Sequence, residues 1–392
     1  MTGDALALVL YARIMMDTRS PPATALDTAY RAHLAALRED SLSGHRRLAP
    51  DGLWLAITEN CNFRCIGCYR EGMFKKTYIS VEDLGRMLVD TSGHEYQYIS
   101  LTWGEAFLHP LFCDIIETCR AAHPKAVIDV ISNGSIPPKG RFRKAVSMID
   151  KMGLSIDGAR AETFESIRRG GNFGKFIENA REICAIRKET GFPRDLGFSF
   201  TAITRNIAEL PDVVRIAADL GVPMIYAQPM EMNDPEIIAR TGAFHLSHMP
   251  LDEVYRITDE ARAVGKALGV RVDLAGYMTR PTTTEASPQA ATDPTAEELA
   301  QDIRLCQYPY LKPFQYTRSG ARYRVLPCCY MLENTGDQMA ERYGMDYDTP
   351  PPVIDFYNSP EFWQFRLDLA EGKASDLCGP CMQARTYPWR PE

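Results

Sequence analysis

The chain has 392 residues, 45% hydrophobic and 24% charged, the balance of a globular protein with room for one barrel-sized domain and a smaller one. A formal net charge of −7 with no basic block argues against a nucleic-acid partner. The first apolar run, residues 5–16, is too short to span a bilayer, follows an acidic residue and contains Arg13. Neither a membrane partner nor a signal peptide is expected, and the expected location is cytoplasmic.

Residues 1–50 read as a helical N-terminal extension that ends in a basic stretch around Arg46 and Arg47. From 51 to 276, short apolar strands alternate with amphipathic helices. Strands are predicted at 53–58, 97–102, 126–131, 153–156, 196–203 and 223–227. Ser80 and Asp83 form a capping box before a helix whose apolar face carries Val81, Leu84, Met87 and Leu88. Helices over 207–220 and 251–268 end at Gly221 and Gly269, each placed as a C-cap. Repeated βα units imply a parallel sheet with helices outside it, joined by right-handed crossovers. The expected fold class is therefore α/β, a partial (βα)6 TIM-like barrel, with a seventh strand at 271–274 covering its edge. Residues 277–300 change to Thr, Pro, Ala and Glu and read as a linker. Residues 301–392, rich in Tyr, Pro and Cys, read as a small domain that needs a metal staple.

The eleven cysteines are unevenly placed, as metal sites produce and core packing does not. Cys113, Cys119 and Cys184 fall within predicted helices and read as buried core thiols. Cys61, Cys65 and Cys68 lie within eight residues, just past the first strand, where barrels place their chemistry. Three soft thiolates select zinc or an iron–sulfur cluster. A cubane cluster usually takes four cysteines, so three on one loop would leave one iron open to a cofactor or substrate. The alternative is a structural zinc site that borrows a remote fourth ligand.

Here the sequence resembles the radical S-adenosylmethionine (radical SAM) superfamily. Cys61-Asn-Phe-Arg-Cys65-Ile-Gly-Cys68 resembles its C-x3-C-x2-C signature, and Thr102-Trp103-Gly104-Glu105-Ala106 its Gly-Gly-Glu-Pro motif. Ser132-Asn133-Gly134 resembles its Thr-Asn-Gly segment, and Leu154-Ser155-Ile156-Asp157-Gly158 ends the fourth strand as in members with an extra cluster domain. The resemblance implies that Cys61, Cys65 and Cys68 hold a [4Fe–4S] cluster whose fourth iron binds S-adenosylmethionine. Glu105 would accept from the cofactor's ammonium, while Ser155, Ser132 and Asn133 would contact its ribose or carboxylate. Tyr226 and Gln228 follow the sixth strand and face the expected cavity, and Gln228 is counted with the cofactor contacts. Three departures are that Trp103 replaces the family's first motif glycine, Ala106 its proline, and Gly67 a residue often aromatic.

The tail pattern of Cys306, the adjacent Cys328 and Cys329, and Cys378-Gly-Pro-Cys381 resembles the Twitch domain, a shortened SPASM domain. Residues 316–328 fit its hairpin. One auxiliary [4Fe–4S] cluster on Cys306, Cys328, Cys378 and Cys381 is implied, with zinc as the alternative. Neighbours on an extended segment point to opposite sides, so only one of Cys328 and Cys329 normally reaches one metal. The implied activity is reductive cleavage of S-adenosylmethionine and hydrogen abstraction from a small molecule such as a sugar or aminocyclitol. The enzyme would be an oxidoreductase with net oxidation through the auxiliary cluster, fed by an external one-electron donor such as flavodoxin or ferredoxin. Alternatives are a maturase acting on a ribosomal peptide and, in another class, a zinc-stabilised binding module.

Overall fold

A computed structural model of the chain describes residues 49–68, 77–89, 93–230, 241–275, 278–280, 314–318, 322–326 and 341–371, with single positions at 239, 338 and 373. The N-terminal extension, nearly all of the linker, and Cys306, Cys328, Cys329, Cys378 and Cys381 lie outside the described residues.

Seven strands lie parallel and side by side in chain order: β1 (Gly52–Ala56), β2 (Tyr98–Thr102), β3 (Val127–Ser132), β4 (Lys151–Ser155), β5 (Asp195–Ala202), β6 (Met224–Pro229) and β7 (Arg271–Leu274). The connecting helices are α1 (Val81–Leu88), α2 (Phe112–Ala122), α3 (Arg141–Val146), α4 (Ala161–Ile167), α5 (Phe173–Thr190), α6 (Leu210–Leu220) and α7 (Leu251–Leu268). This is the partial barrel the periodicity predicts. Its local signals act as expected. The Ser80 hydroxyl accepts from the Asp83 N–H at 2.9 Å at the start of α1. Gly221 and Gly269 adopt φ of 78° and 74°, the left-handed turn that closes α6 and α7. One predicted helix is divided: Ile207–Glu209 is a separate 3-10 turn, and α6 begins at Leu210. Pro211 is the cause, since its missing N–H suits a first turn and not a helix interior.

Strand alternation separates two faces of the sheet. Val130, Leu154, Phe198, Phe200 and Ile225 turn toward the helices and are buried in one continuous core. Each such side chain contributes about 1.5–3 kcal/mol by leaving water. On the opposite parity Ile131 and Tyr226 keep 43% and 41% exposure, while Ser100 and Ser155 are buried, so this face is open in part.

A hairpin extends the sheet on its other side. Strand β8 (Phe314–Arg318) pairs parallel with β1 and antiparallel with β9 (Arg322–Leu326), which pairs with β10 (Asp346–Tyr347). The sequence anticipates the hairpin but not its docking on β1. Tyr323 donates to Asp83 Oδ2 at 2.6 Å, tying β9 to α1, and Arg324 grips Asp346 through two bonds of 2.7 and 2.9 Å.

Candidate active site

The three cysteines occupy the loop that leaves the carboxyl end of β1. Phe63, buried at 3% exposure, anchors this loop in the core, while Cys61, Cys65 and Cys68 stay partly accessible. A two-residue antiparallel ladder holds it from one side, pairing Arg64 with Arg169 and Cys65 with Arg168. The Ile66 N–H donates to the Ile167 carbonyl at 2.9 Å beside it. From the other side Gly104 N–H donates to Thr58 O at 3.2 Å and Glu105 N–H to Asn60 O at 2.9 Å. Trp103, immediately before these attachments, takes φ of 95°. A tryptophan there carries strain on the order of 1–3 kcal/mol, which the adjacent bonds hold in place.

Gly67 also has a positive φ, 70°, and a Cβ there would lie 2.5 Å from Met230 Sδ. Both the turn and the thioether exclude a side chain, which accounts for glycine where relatives often carry an aromatic ring. Gly67→Ala is expected to cost about 1–3 kcal/mol and to weaken metal retention. Pairing it with Met230→Ala should recover only the part due to the clash, because the φ strain remains. Denaturant midpoints and iron retained after gel filtration measure both effects.

Glu105 is 1% exposed and joins the cysteine loop to the end of β3. Its Oε1 accepts from the Ser132 hydroxyl at 2.8 Å and the Phe107 N–H at 3.3 Å; its Oε2 accepts from the Asn133 N–H at 2.6 Å. Asn133 Nδ2 then donates to Asn62 Oδ1 at 2.9 Å and points at Cys61 Sγ at 3.9 Å. The structure thus brings Glu105, Ser132, Asn133 and Cys61 into one connected group. Ser155 and Gln228 stand apart from it, on the open face at the ends of β4 and β6, in register with Ser199 and Thr201 of β5. Cys113 and Cys119 are buried on α2, and Cys184 is half-buried on α5.

The electrostatics of the group suit a cationic guest. Burial pushes the Glu105 carboxyl above its usual range against the three donors and the nearby charge of Arg168. Its fourth lone-pair position, on Oε2, is open to a positively charged donor. Burial likewise pushes the Cys65 thiol up to about 12, with Arg168 opposing and the neighbouring Cys68 and Cys61 adding to the rise. A metal would take these sulfurs as thiolates and release their protons. Among the described residues no three His, Cys, Asp or Glu side chains converge as around a single ion. A cubane would place each thiolate on a different iron. The soft donors and the buried carboxylate fit a [4Fe–4S] cluster with a cationic cofactor.

One pair is absent from the sequence reading. Arg168 meets Asp157 Oδ2 at 2.7 Å, with side-chain exposures of only 13% and 4%, and reaches Cys65 Sγ at 4.0 Å. Asp157 Oδ1 also accepts from the Thr201 N–H at 2.8 Å. The signal available was the Arg-Arg-Gly-Gly run that ends α4.

A half-open parallel barrel with a cysteine loop and a buried carboxylate at its carboxyl rim defines a cofactor-dependent enzyme. Residues 55–217 match the Radical SAM superfamily, and this part of the chain is a radical SAM domain. Its cofactors are a [4Fe–4S] cluster and S-adenosylmethionine. A probable GTP 3′,8-cyclase of Methanocaldococcus jannaschii is 24% identical over 171 residues, 43% of this chain and 55% of that protein. A GTP 3′,8-cyclase of Rhizobium etli is 27% identical over 237 residues, 57% and 65% respectively. The chain thus spans between half and two thirds of the length of these curated relatives. Among solved structures, Streptococcus suis SuiB bound to S-adenosylmethionine has TM-score 0.58 at 13% identity, over 93% of this chain and 77% of that one. The protein anSMEcpe with bound AdoMet has TM-score 0.51 at 13% identity, over 84% and 88%. Both likenesses show the shared fold. Among the described residues, no helix is long and apolar enough to cross a membrane.

Proposed function

We propose that the protein cleaves S-adenosylmethionine reductively and oxidises a small, hydroxyl-bearing molecule. The observation that carries the cofactor role is the Glu105 group, a buried anionic cradle bonded to the loop that bears the cysteines. When bound, the cluster and cofactor supply a 5′-deoxyadenosyl radical that abstracts hydrogen from an unactivated carbon. Cys61, Cys65 and Cys68 would hold the cluster, Glu105 would orient the cofactor's ammonium through Oε2, and Ser132 and Asn133 would fix that carboxylate in turn. Ser155 and Gln228 would contact the cofactor from the open face.

The substrate assignment rests on that open face. Ser199, Thr201 and Tyr226 offer hydroxyls, which suit a polyol or aminocyclitol.

In the tail, Cys306, Cys328, Cys378 and Cys381 would hold a second [4Fe–4S] cluster, in a domain of residues 301–392. A fully ligated cluster has no open iron, so its role is to accept the electron left on the substrate, giving net oxidation. Flavodoxin or ferredoxin would supply the first electron. Replacing Cys378 and Cys381 together by Ala is then expected to keep 5′-deoxyadenosine formation and stop product formation, both read by chromatography of one reaction. Persistence of both activities would make these cysteines dispensable.

Iron, sulfide and zinc per chain after anaerobic reconstitution, followed by 5′-deoxyadenosine assays, test the whole reading. About eight irons per chain support two clusters; about four support the barrel cluster alone. Zinc without iron would overturn it. Offering polyols, GTP and peptides in parallel separates the substrate classes, with turnover expected for the polyols.

A further inference from the structure

The buried pair of Arg168 and Asp157 lies against the cysteine loop and has no part in the reaction described above. Its position is set by the backbone, since Arg168 is the ladder partner of Cys65 and its neighbour Ile167 holds Ile66. Gly170 follows at φ of 91°, and its absent Cβ would come within 3.0 Å of the Asn62 carbonyl. The segment therefore packs along the loop with no space to withdraw. A buried ion pair is poor evidence of added stability, because desolvation offsets its attraction. Its location points to another use.

Arg168 Nη2 meets Asp157 at 2.7 Å, and Nη1 faces Cys65 Sγ at 4.0 Å. Its Nε–H is buried without a partner among the described residues, so the guanidinium still has a donor to give. At a cluster ligand, a nearby positive charge and an N–H donor to sulfur both favour the added electron, and burial keeps water from screening them.

We propose that Arg168 is a positioning residue that raises the reduction potential of the cluster on Cys61, Cys65 and Cys68 through the Cys65 sulfur, with Asp157 fixing the guanidinium and tempering its charge. The proposal rests on reading these cysteines as cluster ligands. Its consequence is a division of labour, in which Glu105 orients the cofactor while Arg168 sets how readily the cluster takes its electron.

The test is a redox titration of the anaerobically reconstituted full chain, followed by electron paramagnetic resonance, without S-adenosylmethionine. Arg168→Gln should lower the midpoint by at least a tenfold change in the reduction equilibrium, about 59 mV for one electron. Asp157→Asn should raise it. Arg168→Lys keeps the charge and should fall between wild type and Arg168→Gln. Opposite shifts from the two halves of one ion pair are not produced by a residue that only braces the loop. Unchanged midpoints, or shifts of the same sign, would overturn the proposal while leaving the cluster reading intact. If Arg168→Gln retains no iron, Asp157→Asn decides, since an unmoved midpoint there refutes the role. A wild-type protein without the cluster signal would instead remove the reading on which the proposal rests.

Discussion

Replacing Cys65 with alanine is expected to reduce 5′-deoxyadenosine formation to background. Cys65 is the middle cysteine of its loop, flanked by Cys61 and Cys68, and sits in the ladder with Arg168. Two remaining thiolates cannot hold a cubane that also keeps an iron for the cofactor. The loss should appear twice, as missing visible absorbance of the reconstituted protein and as missing product in chromatography. Cys119→Ala is the matched control. Cys119 is fully buried on α2 in the hydrophobic core, so this change trims packing and should leave cofactor cleavage in place. Full activity in Cys65→Ala would mean that the loop does not carry the reacting cluster.

Glu105 separates affinity from stability. Glu105→Gln keeps the shape and a carbonyl acceptor but loses the negative charge offered to the cofactor's ammonium. A hydrogen bond to a charged group is worth about 1.5–3 kcal/mol, so S-adenosylmethionine should bind about ten- to a hundredfold more weakly. Glu105→Ala removes the acceptor as well, and the Ser132 hydroxyl and the Phe107 and Asn133 N–H groups all lose their partner. A further destabilisation of about 1–3 kcal/mol per buried group left unsatisfied is expected in denaturant titrations. Equilibrium dialysis of the two variants tells the effects apart. Unchanged affinity in Glu105→Gln would reduce Glu105 to a brace for the end of β3.

What the sequence disclosed and what it withheld follow from the range of each signal. The seven parallel strands were legible because βα units repeat a local pattern, and the Ser80, Gly221 and Gly269 caps act within a few residues of themselves. The cysteine loop was legible from spacing, and Glu105, Ser132 and Asn133 from their strand-end motifs. The bonds that weld those motifs together were not, since Asn133 meets Asn62 and Cys61 only once strands β1 and β3 lie on opposite sides of β2. Arg168 was hidden for a related reason. Its pairing with Cys65 is two residues long, too short to mark a periodicity, and it follows directly on α4. The hairpin announced itself, but its parallel docking on β1 joins segments from far ends of the chain and leaves no local trace. Met230 over Gly67 is likewise a contact between distant loops.

That docking has a consequence for how the protein is made. Until residues 314–318 have left the ribosome, β1 is an edge strand with one row of N–H and C=O groups unpaired. The strand that launches the cysteine loop is thus finished last, although it is among the first to be synthesised. Pairings this distant in sequence form slowly. A truncated product lacking the hairpin would leave β1 as an open, aggregation-prone edge.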